Sequence, residues 1–139
     1  GGTSLPVSGI AFLSVRDHDK LALVALGRKL AKMGFDLVAT RGTMEYLNGE
    51  GVETDVINKV LEGPPHIVDA LENNEVQMVI NTTEGAAAIA DSFSLRRTAL
   101  IHNIPYFTTL AGALAAAEAI AALKHGELDV TSLQAYFPS

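Results

Sequence analysis

The chain has 139 residues, 48% of them hydrophobic and 19% charged, the size of one domain with a core of its own. Its formal net charge is −6 and it has no cysteine, which removes disulfides, thiolate chemistry and Cys-based zinc sites and leaves no basic stripe for nucleic acid. No apolar run is long enough to cross a bilayer and no N-terminal signal pattern appears, so a soluble cytoplasmic domain is expected, with room for an anionic small ligand because one pocket needs only one or two cations.

Residues 1–9 are rich in Gly, Ser and Pro and read as a linker or cloning remnant; the domain proper is expected over residues 10–139. Ile10 to Val15 forms a first apolar strand. The polar turn Arg16-Asp17-His18-Asp19 follows, with Asp17 and Asp19 both candidates to cap a helix. Leu23, Leu26, Leu30 and Met33 recur at helical spacing, and Gly34 stands where that helix stops. Phe35 to Ala39 is a second strand. Thr40-Arg41-Gly42-Thr43 opens a short helix to about Asn48, broken by Gly49 and Gly51. Val52 to Ile57 reads as a third strand with Val52, Thr54 and Val56 on one face.

Asn58 to Pro65 is expected to be irregular, since Gly63-Pro64-Pro65 breaks any regular element. His66 to Leu71 starts another helix, ended by Asn73-Asn74. Met78-Val79-Ile80 then runs into Asn81-Thr82-Thr83-Glu84-Gly85. Such a short, nearly continuous apolar run marks a buried parallel strand. A helical turn is expected over Ala86 to Ala90, and a separate helix over Phe93 to His102, capped by Asp91 or Ser92 and ended by Asn103 and Pro105. Tyr106 to Thr108 is the last strand. Thr109 caps an Ala-rich helix to Lys124, either a buried core helix or a docking face for another domain. Strands alternating with helices at this spacing predict one parallel sheet covered on both faces, an α/β sandwich of three layers.

Four strand ends carry small hydroxyl or amide residues: Ser14, Thr40 with Thr43, Asn81 to Thr83, and Thr108 with Thr109. In an open α/β sheet those ends share the edge where ligands bind. Helix N-termini there offer free N–H groups and partial positive charge. Gly42 lets backbone approach a ligand, and Lys20 and Lys59 add full charge, which together describe a phosphate cradle. Each residue alone fits an ordinary cap or a solvated lysine; the repetition over several strand ends favours a site. Catalytic constellations are weak. His18, His66, His102 and His125 show no pair at metal-ligand spacing, and neither a P-loop nor a Gly-x-Gly-x-x-Gly run is present.

Taken together, these stretches resemble the C-terminal allosteric domain of carbamoyl phosphate synthetase large subunits, a methylglyoxal-synthase-like domain. The resemblance is carried by Leu13-Ser14-Val15-Arg16 with Asp19-Lys20, by Ala39-Thr40-Arg41-Gly42-Thr43, and by Val56-Ile57-Asn58-Lys59-Val60. Glu62-Gly63-Pro64-Pro65-His66-Ile67, Ile80-Asn81-Thr82-Thr83-Glu84-Gly85, Asp91-Ser92 with Arg96-Arg97, and Tyr106-Phe107-Thr108-Thr109 complete it. It implies a five-stranded parallel sheet of order 3-2-1-4-5 and a regulatory nucleotide site, with UMP as inhibitor and IMP as competing activator in some bacterial members. It implies that Lys20, Thr40, Thr43 and Lys59 hold the phosphate, and that Ser14, Gly42, Asn81, Thr82, Thr83 and Ser92 line the pocket. Tyr106 and Thr108 match positions that meet ornithine, a further activator.

The resemblance also implies partners: the other domains of a large subunit, where ATP and Mg would act, and a glutamine amidotransferase small subunit. This domain needs no cofactor or metal of its own. Lys59 favours nucleotide over the N-acetylglutamate of urea-cycle relatives, which carry an aromatic there. Ala86 stands where members often carry a basic residue, and Phe107 where an Asp occurs. The enzyme alternative is methylglyoxal synthase itself, which eliminates phosphate from dihydroxyacetone phosphate and needs a Gly-Gly-Asp turn. Here Pro65 occupies the expected base position, and proline has no ionisable group. The cyclohydrolase domain of purine synthesis ranks last.

Overall fold

The computed structural model describes residues 6–57, 66–82 and 86–124, with the helix side chains of the last stretch described from Phe93 onward. Strands and helices alternate throughout: β1 (Gly9–Ser14), α1 (Lys20–Lys32), β2 (Phe35–Ala39), α2 (Arg41–Gly49), β3 (Asp55–Val56), α3 (Ile67–Glu72), β4 (Met78–Asn81), α4 (Ala86–Ile101), β5 (Tyr106–Phe107) and α5 (Leu110–Lys124). A 3-10 turn, Asp17–Asp19, leads into α1. The sheet order is β3-β2-β1-β4-β5 and every pairing is parallel, as the resemblance implied.

Period-2 alternation sends successive strand residues to opposite faces, and each face is closed by its own helices. On one side Ala11, Leu13, Leu37, Ala39, Met78 and Ile80 pack with Leu23, Leu26 and Leu30 of α1, Leu47 of α2 and Ala113, Ala117 and Ile120 of α5. On the other side Phe12 and Val79 pack with Ile67, Ala70 and Leu71 of α3 and Leu95 of α4. That gives three layers. Because β1 and β4 are buried on both faces, they read as continuous apolar runs rather than alternating ones.

The punctuation predicted from sequence is largely in place. Gly34 ends α1 at φ 101°, and Asn74 and Asn103 take left-handed values of 59° and 57° after α3 and α4, a conformation that Asn tolerates better than other side chains. The Thr109 hydroxyl accepts a hydrogen bond from Gly112 N at 3.1 Å, so it caps α5. The alanines at 113, 116, 117 and 119 are fully buried or nearly so, so that face of α5 is part of the core.

Several local expectations fail for identifiable reasons. Neither Asp17 nor Asp19 makes a side-chain cap bond, because both carboxylates are drawn into ion pairs with Lys20 and Arg16. β1 begins at Gly9, which pairs with Phe35, one residue before the expected start. The third strand is only Asp55–Val56, with Val56 exposed. At Thr54 the side chain of Asn48 stands in for a neighbouring strand, accepting from Thr54 N at 2.8 Å and donating to Thr54 O at 3.0 Å. The separate helical pieces around Asp91 and Ser92 are one helix, α4, so those two residues lie inside it rather than at its start. The irregular stretch expected over Asn58 to Pro65 and the tail after Lys124 lie outside the described residues.

Candidate functional site

The C-terminal ends of β1, β2 and β4 meet at one edge of the sheet. Ser14 and Asn81 are register partners across β1 and β4, and the chain diverges there, since α1 leads from β1 toward β2 while β4 lies on the other side. That is the switch point at which open α/β sheets open a crevice. Ser14, Thr40, Thr43, Asn81 and Thr82 are each less than a tenth exposed. Burying hydroxyls and an amide costs free energy unless they are hydrogen-bonded, and the bonds made here go both to backbone N–H groups at the strand ends and to neighbouring side chains.

Thr82 N donates to Ser14 O at 2.9 Å, extending the ladder past β4. The Thr82 hydroxyl accepts from Arg16 N at 3.2 Å. Thr43 accepts from Val15 N at 3.4 Å and from the Thr40 hydroxyl at 3.3 Å. Those two distances are at the long end of the hydrogen-bond range, so a better acceptor can draw these hydroxyls away at small cost. Thr40 is the N-cap of α2, and the first intrahelical bond runs from Met44 N to Thr40 O at 2.8 Å. The N–H groups of Arg41, Gly42 and Thr43 therefore precede the helical ladder.

Lys20 reaches this helix end from the first turn of α1. Its Nζ lies 3.5 Å from where a Cβ on Gly42 would stand, so the ammonium rests in ordinary contact distance of the start of α2. The Lys20 side chain is 20% exposed and pairs with Asp17 at 2.8 Å. The Lys20 hydrogen bond and charge hold the Asp17 carboxyl below the usual range. Asp19 closes the other side: burial opposes its ionisation, but hydrogen bonds from Thr82 and Arg16 outweigh that and keep its carboxyl low. Arg16 Nε donates to it at 2.8 Å.

Tyr106, half-buried in β5, accepts a 2.8 Å hydrogen bond from Asn81 Nδ2, which brings the expected ornithine side into contact with the same edge. Thr108 is exposed just beyond. Of the expected site, the structure thus brings together Ser14, Lys20, Thr40, Gly42, Thr43, Asn81, Thr82 and Tyr106. Lys59, Thr83 and Pro65 lie outside the described residues, as does the side chain of Ser92. The sequence places Arg16, Asp17 and Asp19 in a polar turn, with the two aspartates as cap candidates, and not among the site residues. The i,i+3 spacing of opposite charges, Arg16 to Asp19 and Asp17 to Lys20, was the available signal. Among the described residues no group of His, Asp or Glu could hold a metal, and no helix is long and apolar enough to cross a membrane.

A parallel five-stranded sheet of this order with a polar switch point defines a class, and the family comparison agrees with it. The MGS-like domain family matches residues 22–108, and the chain belongs to that family. It is 52% identical over 138 residues to the carbamoyl phosphate synthase large chain of Brucella suis, covering 99% of this chain and 12% of that protein. It is 54% identical to the same protein of Mesorhizobium japonicum, again covering 12% of it. It is 46% identical over 95% of its length to the C-terminal section of the large chain of Methanopyrus kandleri, covering 24% of that section. The chain therefore spans about an eighth of the full-length relatives. Among solved structures, methylglyoxal synthase from Elizabethkingia anophelis superposes with a TM-score of 0.57 at 22% identity, over 77% of this chain and 75% of that one, a likeness of fold.

Proposed function

We propose that the chain is the allosteric effector-binding domain of a carbamoyl phosphate synthase large chain. It takes a nucleoside monophosphate by its phosphate: UMP as inhibitor, IMP as competing activator, with ornithine entering beside Tyr106 and Thr108. The observation that carries this reading is the Lys20 ammonium lying against Gly42, at the start of α2 and beside the buried Thr40 and Thr43 hydroxyls. A phosphate carries about two negative charges near neutral pH, and a chain of net charge −6 repels it on average. A helix start whose first N–H groups have no partner within the helix, together with a lysine, supplies the local compensation, and Lys59 is assigned to the same shell on the resemblance. The domain itself performs no chemistry. ATP and Mg belong to other domains of the large chain, and a glutamine amidotransferase small subunit and a cytoplasmic location complete the reading.

Calorimetric titration of this chain with UMP and with uridine at fixed salt tests it. UMP is expected to bind more tightly, and equal affinities would falsify the phosphate-anchored site. A hydrogen bond to a charged group contributes about 1.5–3 kcal/mol. Lys20→Ala and Lys59→Ala are therefore each expected to weaken UMP by roughly ten- to a hundred-fold, with little change for uridine. Turnover of dihydroxyacetone phosphate above a heat-killed control would replace the regulatory reading with the lyase.

A further inference from the structure

Tyr106 occupies an edge position in the architecture. Its strand is two residues long and lies at the edge of the sheet, with only Val79↔Tyr106 and Ile80↔Phe107 as register partners. So short an edge strand restrains its backbone weakly, yet its side chain carries the hydroxyl to which Asn81 donates at 2.8 Å. Asn81 is 5% exposed and sits opposite Ser14 at the switch point. Something other than the ladder must hold the ring where that bond can form.

Two contacts do so. The ring packs against the apolar cluster of Phe12, Val79 and Leu95. The guanidinium of Arg96, on the exposed side of α4, lies over the ring at 5.5 Å from its centroid, within the range of a cation–π attraction. Arg96 follows the buried Leu95 directly, so the anchoring of α4 in the core fixes where the guanidinium projects. Arg96, Tyr106 and Asn81 thus form a continuous line from the surface of α4 to the strand end.

We propose that Arg96 is a positioning residue for the candidate effector pocket: it clamps the Tyr106 ring so that the Tyr106 hydroxyl fixes the Asn81 amide. This rests on reading the β1/β4 edge as the effector site. Arg96 touches no ligand in this scheme and acts through Tyr106 alone. Lysine in its place keeps a cation over the ring and retains part of the effect, whereas alanine removes it.

The test combines a readout that needs no ligand with one that does. In the ligand-free chain, the side-chain amide protons of Asn81 are followed by NMR in the wild type, Arg96→Ala, Arg96→Lys, Tyr106→Phe and the double variant Arg96→Ala/Tyr106→Phe. Tyr106→Phe keeps the ring and removes only the hydroxyl. Arg96→Ala is expected to shift the Asn81 amide pair toward its Tyr106→Phe position, Arg96→Lys to shift it less, and the thermal midpoint to stay close to wild type. UMP affinity is expected to fall about two- to five-fold in Arg96→Ala, the size of an exposed cation–π contact. The double variant is expected to be no weaker than Tyr106→Phe alone, since Arg96 has no route other than Tyr106. An Asn81 amide unmoved in Arg96→Ala overturns the positioning role, and so do additive losses in the double variant. A wild type that binds neither UMP nor uridine overturns the effector reading instead, while the amide signal still decides whether Arg96 positions Asn81.

Discussion

The two edges of the sheet use polar residues in opposite ways. At the N-terminal edge they tie turns together. Gln77 accepts from Ile10 N at 2.7 Å and donates to Asn74 O at 2.9 Å, and Lys124 donates to Val7 O and Met33 O. Those bonds fasten backbone to backbone and have no slack. At the C-terminal edge the polar side chains are more deeply buried, yet the Thr43 bonds stretch to 3.3 and 3.4 Å and the nearby lysine pairs, among the described residues, with an aspartate that is 96% exposed. An exposed ion pair of that kind contributes little to stability. One edge is built to hold the chain; the other keeps polar groups buried at some cost to stability, as sites that bind ligands do.

The contrast can be attacked at its centre first. Phe12 is fully buried midway along β1 and supports both edges. Phe12→Ala is expected to cost about 3–5 kcal/mol in urea denaturation; a loss below about 1 kcal/mol would mean that the sheet core is not what both edges depend on. Gln77→Ala comes next, with an expected cost of about 1–2 kcal/mol for two lost hydrogen bonds and unchanged UMP affinity. Impaired UMP binding in that variant would break the division of labour. Thr43→Val sharpens the contrast from the other side: it should lower stability by less than about 1 kcal/mol, because the two bonds it removes are long, while weakening UMP several-fold in calorimetry.

The smallest effect concerns pH. The Asp19 carboxyl is held below its ordinary value of 3.8 by Thr82 and Arg16 against the opposing effect of burial. A depressed folded-state pKa contributes stability that is present above the unfolded value and lost as pH falls through the folded one. The stability gap between wild type and Asp19→Asn should therefore be constant near neutral pH and close as pH drops below about 4. A gap independent of pH down to that range would show that Asp19 acts by shape rather than by charge.

Much of this was legible in the chain itself. The apolar runs at Ile10 and Met78, the helical spacing of Leu23, Leu26 and Leu30, and the stops at Gly34, Asn74 and Asn103 are local signals, and each corresponds to an element boundary within a residue or two. The hydroxyls that follow the strands fall on one edge because a parallel sheet puts all its strand ends on one side. What sequence alone left wrong depends on which side chains meet, some of them near in the chain and one of them far away. Asn48 takes the place of a strand at Thr54, so Val52 to Ile57 is mostly not a strand. Asp17 and Asp19 abandon capping because Lys20, Arg16 and Thr82 compete for their carboxylates, and Thr82 is more than sixty residues away.

The same holds for Arg96. Nothing in Leu95-Arg96-Arg97 distinguishes one arginine from the next, since both are exposed on the same helix. Only the pairing of β5 beside β4, which brings Tyr106 under α4, selects Arg96 for the ring. Residue order determined the elements and the chemistry available at their ends, because propensity and periodicity act over a few residues. Tertiary structure decided which of those groups meet, because hydrogen bonds, ion pairs and ring contacts form between side chains that only the folded sheet brings within reach.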